Sequence, residues 1–579
     1  MEKRVLTTII VCFAVIWVYT KIFVPSPPAR RPGNPPATQG PPPPSREPGQ
    51  VNSDRITRAP VTPPADVPVF DVREHILENG LLRLVLDSRG ACVTSAFLVD
   101  YREDLRPGEV DERPLALFSP ELDAGGALQI SVTEYPFLET IPWDMTVEES
   151  EVIFSLPLGD RSVIKKIRLD PDSYTVEVSV RFDGEWPLAG DDAYTLFGPQ
   201  RIRFDGRAMA PNGQVIGTAG PQGNFAEVER KKIRPIPGGE HQDARRVLWN
   251  ALESQYFAFV LRPLLTTASP QFPWSATVQG LSSSPPKGLV QENQKRGVQG
   301  LPFRIGIRHE LIPGNQDEYQ VFLGPKDRRV LALYKEVGFG ELIDYGSVLG
   351  PLLRLFTMLL GFFEGIFGSY GIAIICLTIL VKALLHPLNK KNQAVMQKQQ
   401  KKMAKIQPQM KEIKERYKDN SLKANKEIQK LMKEHDVNPA QMAGGCMLMF
   451  LQLPVWIGLY WTFILALDLR HAPFLYIDDL ARPDRLFPLP TIPILGWDSF
   501  NLLPVLYVVV TVLNQRMMPK SPDPQMQQQQ KMMNFMMVFF GFIFYNFASG
   551  LLLYFLTSST LGIVEQRIIR AELRRSGDA

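Results

Sequence analysis

Long apolar runs lie at both ends of the 579-residue chain, with shorter segments of alternating polar and apolar residues between them. Near the N-terminus, Lys3 and Arg4 precede an apolar run over residues 5–20. This run ends in bulky residues where a signal peptide would have a small-residue cleavage site. It therefore predicts a retained signal-anchor helix over residues 1–24, with its basic end in the cytosol.

Four uncharged apolar runs lie in the C-terminal part of the chain. The last run is 33 residues long, well above the ~20 residues that one span needs. Basic residues flank both of its ends, so both ends belong in the cytosol and the run must cross the membrane an even number of times. It therefore predicts two short helices that meet at Ser549-Gly550 and thin the bilayer locally. With the N-terminal helix, the runs 366–381, 441–467, 499–515 and 532–564 predict six transmembrane helices.

Loop charges orient the predicted spans. Segment 389–440 carries fourteen Lys and Arg residues against six acidic residues, whereas segment 468–498 carries three against five. Because basic loops stay in the cytosol, 389–440 and both termini are predicted to be cytosolic, and 468–498 and the large domain after the first span to be periplasmic. The net charge of only +4 gives no case for nucleic-acid binding.

The region before the C-terminal spans predicts a linker followed by a β domain. Fifteen prolines in residues 25–69 predict a semi-extended linker. Period-two alternation, as in 81–87, 173–182 and 318–324, predicts an external antiparallel β-sandwich over 70–325. We find no nucleophile elbow, zinc motif or phosphate-binding loop there, and the four cysteines lack metal-ligand spacing. The sequence thus predicts neither an enzyme nor a cofactor or metal site.

Segment 389–440 predicts a hairpin of two antiparallel amphipathic helices. Met403, Ile406 and Met410 lie at heptad-like spacing, and a polar break at 419–421 precedes a second apolar stripe. One interpretation is a solvated coiled-coil hairpin with a methionine-rich seam. The other is a mobile surface that meets ribosomes, nascent chains or anionic headgroups, and the residues alone leave both open. The lysines of that surface are Lys390, Lys391, Lys398, Lys401, Lys402 and Lys405.

Lys382 places a positive charge inside a predicted span. It follows the uncharged run and lies ~9 Å before the basic cytosolic segment begins. An ammonium near the bilayer centre costs ~2.5–3.5 kcal/mol on insertion scales, and less with water or a partner in reach. Lys382 could extend along its own stem to the inner interface, or it could face a water-filled cavity open to the cytosol. Periodicity leaves both interpretations open.

Several C-terminal segments resemble the YidC/Oxa family of membrane protein insertases. GGCMLMFLQLPVWIGLYW (444–461), followed by DLRHAPFLYIDDL (468–480), is similar to the third span of that family and its following loop. SYGIAIICLTILVKALLHPLN (369–389) is similar to the second span, and SGLLLYFLTSSTLGIVEQ (549–566) to the sixth. The resemblance covers about residues 345–570. The external domain resembles that of the Gram-negative branch in its position and β pattern.

The resemblance implies a five-helix core around a hydrophilic groove that is closed to the outside and open to the cytosol and lipid. In the family, a positive residue of the second span, usually Arg, attracts polar or acidic substrate segments. Lys382 keeps this charge but lacks the five-donor fork of Arg. The resemblance therefore favours the groove interpretation. Besides Lys382, the candidate groove residues are Gln452, Tyr460, Asn514, Tyr554 and Thr557, each of which could equally make an interhelical hydrogen bond.

The function that the resemblance implies is insertion and folding of nascent membrane proteins in the bacterial inner membrane, alone or with the Sec translocon and the ribosome as partners. A small-solute transporter or channel is the alternative, because six spans and an intramembrane charge also suit it. Against it, we detect no internal repeat, and alternating access does not require a β domain or a basic hairpin.

The predicted order of segments follows from these patterns. It is a signal-anchor helix (1–24), linker (25–69), β-sandwich (70–325), connecting and interfacial amphipathic helices (326–368), second span (369–388), cytosolic hairpin (389–440), third span (441–467), periplasmic loop (468–498), fourth span (499–516), cytosolic loop (517–531), fifth span (532–548), sixth span (549–568) and cytosolic tail (569–579).

Overall fold

The predicted signal-anchor helix and nearly all of the proline-rich linker lie outside the residues that the structure describes, as do most of the loop 517–531 and part of the predicted fifth span. The structure is a computed structural model. It describes residues 67–102, 113–120, 126–187, 193–203, 213–219, 224–231, 240–243, 246–264, 274–280, 303–346, 349–418, 420–435, 437, 444–492, 497–517, 532, 539 and 541–575.

The described residues of the β domain, which we define as residues 74–325, form eighteen strands. They are β1 (Glu74–Glu78), β2 (Leu82–Asp87), β3 (Cys92–Arg102), β4 (Pro114–Phe118), β5 (Gln129–Val132), β6 (Asp144–Val147), β7 (Glu151–Leu158), β8 (Arg161–Leu169), β9 (Thr175–Asp183), β10 (Ala193–Phe197), β11 (Gly213–Ala219), β12 (Phe225–Lys231), β13 (Glu240–Asp243), β14 (Val247–Glu253), β15 (Phe257–Pro263), β16 (Trp274–Gly280), β17 (Phe303–Glu310) and β18 (Gln316–Pro325). The sheet orders are β1-β2-β3-β4, β13-β16-β17-β10-β5 and β12-β11-β14-β15-β18-β9-β8-β7-β6.

The two larger sheets pack face to face. Strands β14 and β15 of the nine-stranded sheet lie against β16 and β17 of the five-stranded sheet. Asn250 on β14 is fully buried, and its side-chain amide donates to the carbonyl oxygens of Thr277 (3.3 Å) and Gly306 (2.8 Å) on the facing sheet. One apolar cluster includes residues from Leu77 to Ile343 together with Leu467. Alternation along strands such as β7 and β8 places their apolar side chains on the inner face. All strand pairings among the described residues of this domain are antiparallel, which confirms the predicted antiparallel β domain.

Lys165 on β8 is a charged residue among the inward-facing side chains. It alternates with the buried residues Val163 and Ile167 and is itself fully buried. Its ammonium donates to the carbonyl oxygens of Ala91 (2.6 Å) and Leu128. Burial lowers the pKa of Lys165 to about 7 because a low-dielectric interior disfavours the charged form. Lys165 thus makes the stability of the β domain depend on pH near neutrality.

We expect the free energy of unfolding of a 67–346 fragment to rise between pH 7 and pH 8.5. In this window the unfolded chain keeps the Lys165 proton and the folded chain loses it, so the unfolded state binds more protons and stability increases with pH. The slope is up to about 1.4 kcal/mol per pH unit. Burial also raises the pKa of the Cys92 thiol to about 11, which opposes the gain once free thiols begin to ionise. At pH 8.5, the upper limit of the window, most of the free thiol is still protonated, so the effect of Cys92 stays small.

Urea titrations of the fragment at several pH values test this expectation. Lys165→Met should remove the slope, whereas Lys166→Met, the matched control on the opposite face of β8, should keep it. Lys166 is partly exposed and pairs with Glu151 at 3.5 Å. Parallel stability curves for the wild type and Lys165→Met would contradict the assignment of the slope to Lys165.

Seven helices are present among the described residues. They are α1 (Arg328–Ala332), α2 (Gly350–Phe367), α3 (Tyr370–Arg416), α4 (Ser421–Glu434), α5 (Gly444–Leu465), α6 (Leu502–Met517) and α7 (Ser549–Arg575). α2 ends where Gly368 adopts a left-handed conformation (φ +65°), which glycine tolerates without strain. The loop between α5 and α6 contains a short antiparallel hairpin of β19 (Phe487–Ile492) and β20 (Trp497–Phe500). Leu360 of α2, Leu377 of α3, Leu459 of α5 and Leu552 of α7 belong to one apolar core, which we call the helical core.

α3 differs from the predicted boundary at residue 388. The sequence separates a second span from a cytosolic hairpin there, but α3 is one continuous helix of 47 residues that contains Pro387 and Pro408. The residues after 388 are mostly Lys, Gln, Met and Ala, which favour helix. The change in composition therefore marks a change of environment, whereas the backbone stays helical.

Two described helices are long and apolar enough to cross a membrane, namely α2 and residues 370–395 of α3. Only a third of the most apolar part of α3 is buried within the protein. Large apolar side chains such as Phe362, Leu384 and Val509 are exposed on α2, α3 and α6. Such a broad apolar surface is typical of contact with lipid. The total of six spans and the interfacial position of α2 stay predictions.

Candidate functional site

Lys382 belongs to a polar stripe on α3. His386 and Asn389 follow it by four and seven positions, a spacing that places the three side chains on one face of a helix. Lys382 and Asn389 are half-buried, and the His386 side chain is 34% exposed. This face of α3 packs against α7.

Glu565 on α7 faces that stripe. Its Oε1 atom accepts a hydrogen bond from Nδ2 of Asn389 (2.9 Å) and lies 3.2 Å from Nδ1 of His386. Lys382 lies one helical turn before His386, so its ammonium is on the same face of α3 as the side chains that Glu565 contacts. The Glu565 side chain is only 12% exposed, so these interactions take place largely out of bulk water. We call Lys382, His386, Asn389 and Glu565 the polar seam; sequence reasoning named only the first of them.

α7 carries a polar stripe of its own. Ser558 and Glu565 follow Tyr554 by four and eleven positions, so the three lie on one face of the helix. Tyr554 is buried, and the side chains of Gln452 on α5 and Ser558 approach its hydroxyl group. Of the predicted groove residues, Gln452 and Tyr554 therefore come together. They lie ~16 Å along α7 from Glu565, at 1.5 Å per residue.

The remaining predicted groove residues are placed separately. Tyr460 is half-buried and packs against Trp461 and Phe547, with ring centroids 5.7 and 6.3 Å away. Thr557 is half-buried on α7, almost one turn after Tyr554. Asn514 is half-buried on α6, and its Oδ1 atom is buried with no hydrogen-bond partner in the part of the chain that the structure describes. The described contacts do not link these three residues to the polar seam.

The loop between α5 and α6 closes the end of the helical core opposite the polar seam. The Ser549 hydroxyl at the start of α7 donates to the Asp479 carbonyl (2.9 Å), and its backbone N–H donates to the Arg482 carbonyl (2.6 Å). Phe474 packs so closely on Gly371 in α3 that an added Cβ would lie 2.1 Å from its ring. The loop thus caps α7 and covers the start of α3.

Asp484 in this loop caps α6. Its Oδ2 atom accepts hydrogen bonds from the backbone N–H groups of Leu502 (2.7 Å) and Leu503 (2.8 Å) and from the Tyr476 hydroxyl (2.9 Å). Asp484 is buried, so its removal would leave these donors without their acceptor.

We expect Asp484→Ala to destabilise the protein by about 2 kcal/mol, because a helix cap and buried hydrogen bonds are lost together. Thermal unfolding in detergent, followed by light scattering and intrinsic fluorescence, measures the effect. Asp478→Ala removes an exposed acid from the same loop and should leave the midpoint unchanged. Equal midpoints for the two variants would contradict the capping role.

The β domain contacts the helical core through the end of α5. The side-chain amide of Gln255, between β14 and β15, donates to the Ile464 carbonyl at 2.8 Å. Arg470 donates to the Arg102 carbonyl at 3.1 Å, and Leu467 belongs to the apolar cluster of the β domain. The two parts are thus docked together as well as joined by the chain.

The predicted cytosolic hairpin has both an apolar seam and a charged surface. Ile406 and Met410 of α3 pack against Ile428 and Leu431 of α4. Lys390 pairs with Glu572 of α7 (Nζ to Oε2, 2.6 Å). A coiled-coil hairpin and a charged contact surface are therefore compatible. The apolar contacts between α3 and α4 hold the hairpin together, while most of its lysines face solvent. Lys391, Lys398, Lys401 and Lys405 are exposed and Lys402 is half-buried.

The chemistry that the polar seam offers is electrostatic. It contains one ammonium, one carboxylate, one imidazole and one carboxamide next to apolar surface. Within the described ranges, no three His, Cys, Asp or Glu residues form a group that could hold a metal ion. The seam can attract, orient or exclude charged groups near the membrane.

The fold and the polar seam define a class of protein, namely an integral membrane protein with a large β domain and a charged site between its helices. Residues 76–358 match the family model described as "YidC periplasmic domain", and residues 362–576 match "60Kd inner membrane protein". The chain therefore belongs to the YidC family of inner membrane proteins, with residues 76–358 as its periplasmic domain.

Relatives of this family align over nearly the full chain or over about half of it. The membrane protein insertase YidC of Syntrophus aciditrophicus is 29% identical over 99% of this chain and 100% of its own length. The protein of the same name from Haemophilus influenzae is 41% identical over 49% of this chain and 48% of its own length. A crystal structure described as an active YidC insertase with its first transmembrane domain resolved is 16% identical, with a TM-score of 0.34, over 86% of this chain and 93% of its own.

Proposed function

We propose that this protein inserts integral membrane proteins and helps them fold, through a hydrophilic groove that is open to the cytosol and lipid and contains Lys382. The observation that carries this proposal is the polar seam between α3 and α7, in which Lys382 and Glu565 lie within helices whose outer surfaces are apolar. The names of the full-length relatives, which are membrane protein insertases, agree with it.

The groove acts by lowering the cost of bringing polar groups into the membrane. A polar flank that enters hydrocarbon unpaired costs several kcal/mol per group, whereas a hydrated site with fixed donors and charges replaces part of its solvation. Lys382 attracts polar or acidic flanks, and the apolar segment of the substrate moves past the exposed faces of the helices into lipid. Burial of that segment supplies the energy, at about 25 cal/mol per Å², and the membrane potential contributes for charged flanks.

Closure on one side gives the site its direction. The loop 468–498 covers the end of the helical core through Phe474 and through its contacts with Ser549, while the polar seam lies toward the basic extension of α3. With both termini and this extension in the cytosol, a substrate enters from the cytosolic side, and its short flank is held before it is released outward.

The hairpin of α3 and α4 provides the contact surface for the partners that we propose. Its exposed lysines suit the anionic surface of a ribosome or lipid headgroups, and the Sec translocon is a further proposed partner. A non-enzymatic role agrees with the names of the relatives. No described contact favours the alternative of a small-solute transporter or channel.

Depletion of the protein from its native cell tests the proposal. Membrane proteins labelled during synthesis should then fail to insert, as judged by protease protection of their periplasmic flanks, and expression of the wild type should restore insertion. Uptake of small solutes, measured in parallel, should stay normal over the same period. Normal insertion in depleted cells would refute the proposed function, and an early uptake defect alone would favour a transporter.

A further inference from the structure

Glu565 is a largely buried acid that faces the α3 stripe containing the half-buried Lys382, and the proposed attraction of substrates by Lys382 does not account for it. Its carboxylate is held by Asn389 at 2.9 Å and by the His386 ring at 3.2 Å. It is only 12% exposed. An unpaired charge in such a place is costly, and Lys382 supplies a positive charge on the face of α3 that Glu565 contacts. A substrate carboxylate must therefore compete with Glu565 for the Lys382 ammonium.

We propose that Glu565 is the resident counter-anion of Lys382 and that it determines which translocated flanks the groove accepts. This inference rests on the proposed insertase function and deepens it. An acidic flank must replace Glu565 as the partner of Lys382, so only flanks that make this exchange favourable gain from the positive charge. Neutral flanks do not compete for Lys382 and do not depend on the exchange.

The geometry makes the exchange possible. When Lys382 turns to a substrate carboxylate, Glu565 keeps its two neighbours on α3, so it is not left buried without hydrogen-bond donors. The long side chain of lysine has rotatable donors, whereas the planar fork of arginine suits one fixed bidentate partner. Lys382 can thus exchange Glu565 for a substrate carboxylate and return to Glu565 after the substrate leaves.

The same contacts could serve only to hold α3 against α7, and substrate charge separates the two roles. A counter-anion affects acidic flanks alone, whereas a clamp between helices affects every substrate alike. Glu572 gives a matched control, because it is a second acid on α7 that pairs with α3, through Lys390 at 2.6 Å, and it lies seven residues beyond the polar seam.

The test uses the full-length protein in depleted cells, with two reporter substrates that differ only in an acidic or a neutral translocated flank. Glu565→Gln should raise the ratio of acidic to neutral insertion about fivefold, the effect of a charge interaction of about 1 kcal/mol. Lys382→Ala should lower this ratio, because Glu565 then repels the acidic flank. The double variant Lys382→Ala/Glu565→Gln should restore most of it, and Glu572→Gln should leave it unchanged.

An unchanged ratio in Glu565→Gln, or an equal change for both substrates, would overturn the counter-anion role, and so would a double variant as impaired as Lys382→Ala. In each of these cases the wild type still inserts both reporters, so the proposed function stands. Failure of the wild type to restore insertion of either reporter would refute the proposed function and this inference with it.

Discussion

Lys382→Glu is expected to reduce insertion of all substrates at least about tenfold, whereas Lys382→Arg should stay within about twofold of the wild type. The reversed charge would face Glu565 across the polar seam, and two carboxylates in a site of low dielectric repel each other. Lys382→Ala should impair acidic flanks most, by about fivefold. Protease protection of reporter flanks in depleted cells measures all three variants.

Two controls distinguish a role of Lys382 in the groove from a role as an anchor at the membrane interface. Lys335→Glu changes the charge of an exposed lysine outside both the polar seam and the hairpin and should have little effect. A Lys382→Cys thiol should be alkylated from the cytosol if the residue faces a hydrated groove, and should be inert if it faces lipid. Tolerance of alanine for every substrate together with an inert thiol would contradict the groove role.

The sequence predicted Lys382 but missed Glu565, for a physical reason. A charge that directly follows an uncharged run is visible within one segment. Glu565 lies near the end of a predicted span, next to Gln566 and Arg567, where a charge is expected at the interface. Its role depends on facing His386, a residue 179 positions away. The spacing of Tyr554, Ser558 and Glu565 on one helical face was the signal that could have found it.

The closure of the helical core by the loop 468–498 could not be predicted from the sequence, for a different reason. The loop 468–498 closes the helical core largely through backbone groups, such as the Asp479 carbonyl that accepts from Ser549, and backbone contacts leave no motif. Period-two alternation, in contrast, was sufficient to predict the antiparallel β domain, because strands such as β7 and β8 repeat it along their length. The helix also continues past the predicted end of the second span at residue 388, since a hydropathy pattern follows the environment and the backbone of α3 stays helical through the change.

Removal of whole segments should separate insertion from the accessory parts of the protein. Deleting residues 70–325 is expected to leave about half or more of wild-type insertion, because the β domain has its own apolar core and domains of this kind fold separately. The deletion must extend to 325, since β17 and β18 are integral strands of the two larger sheets. Leu467→Ser should accompany it, because this side chain otherwise loses its cover in the β domain.

Replacing residues 398–434 with a short Gly/Ser linker is expected to reduce insertion below about a fifth of the wild-type level, because the basic surface that approaches a ribosome or anionic lipid is then absent. This boundary keeps the α3 residues of the polar seam and the Lys390–Glu572 pair, so a defect can be assigned to the hairpin itself. The 70–325 deletion and the 398–434 replacement are compared by the reporter assay at equal levels in the membrane.

Complete loss of insertion by the stably expressed 70–325 deletion would show that the β domain takes part in insertion. Full activity without 398–434 would show that the hairpin is only a solvated extension of α3 and α4.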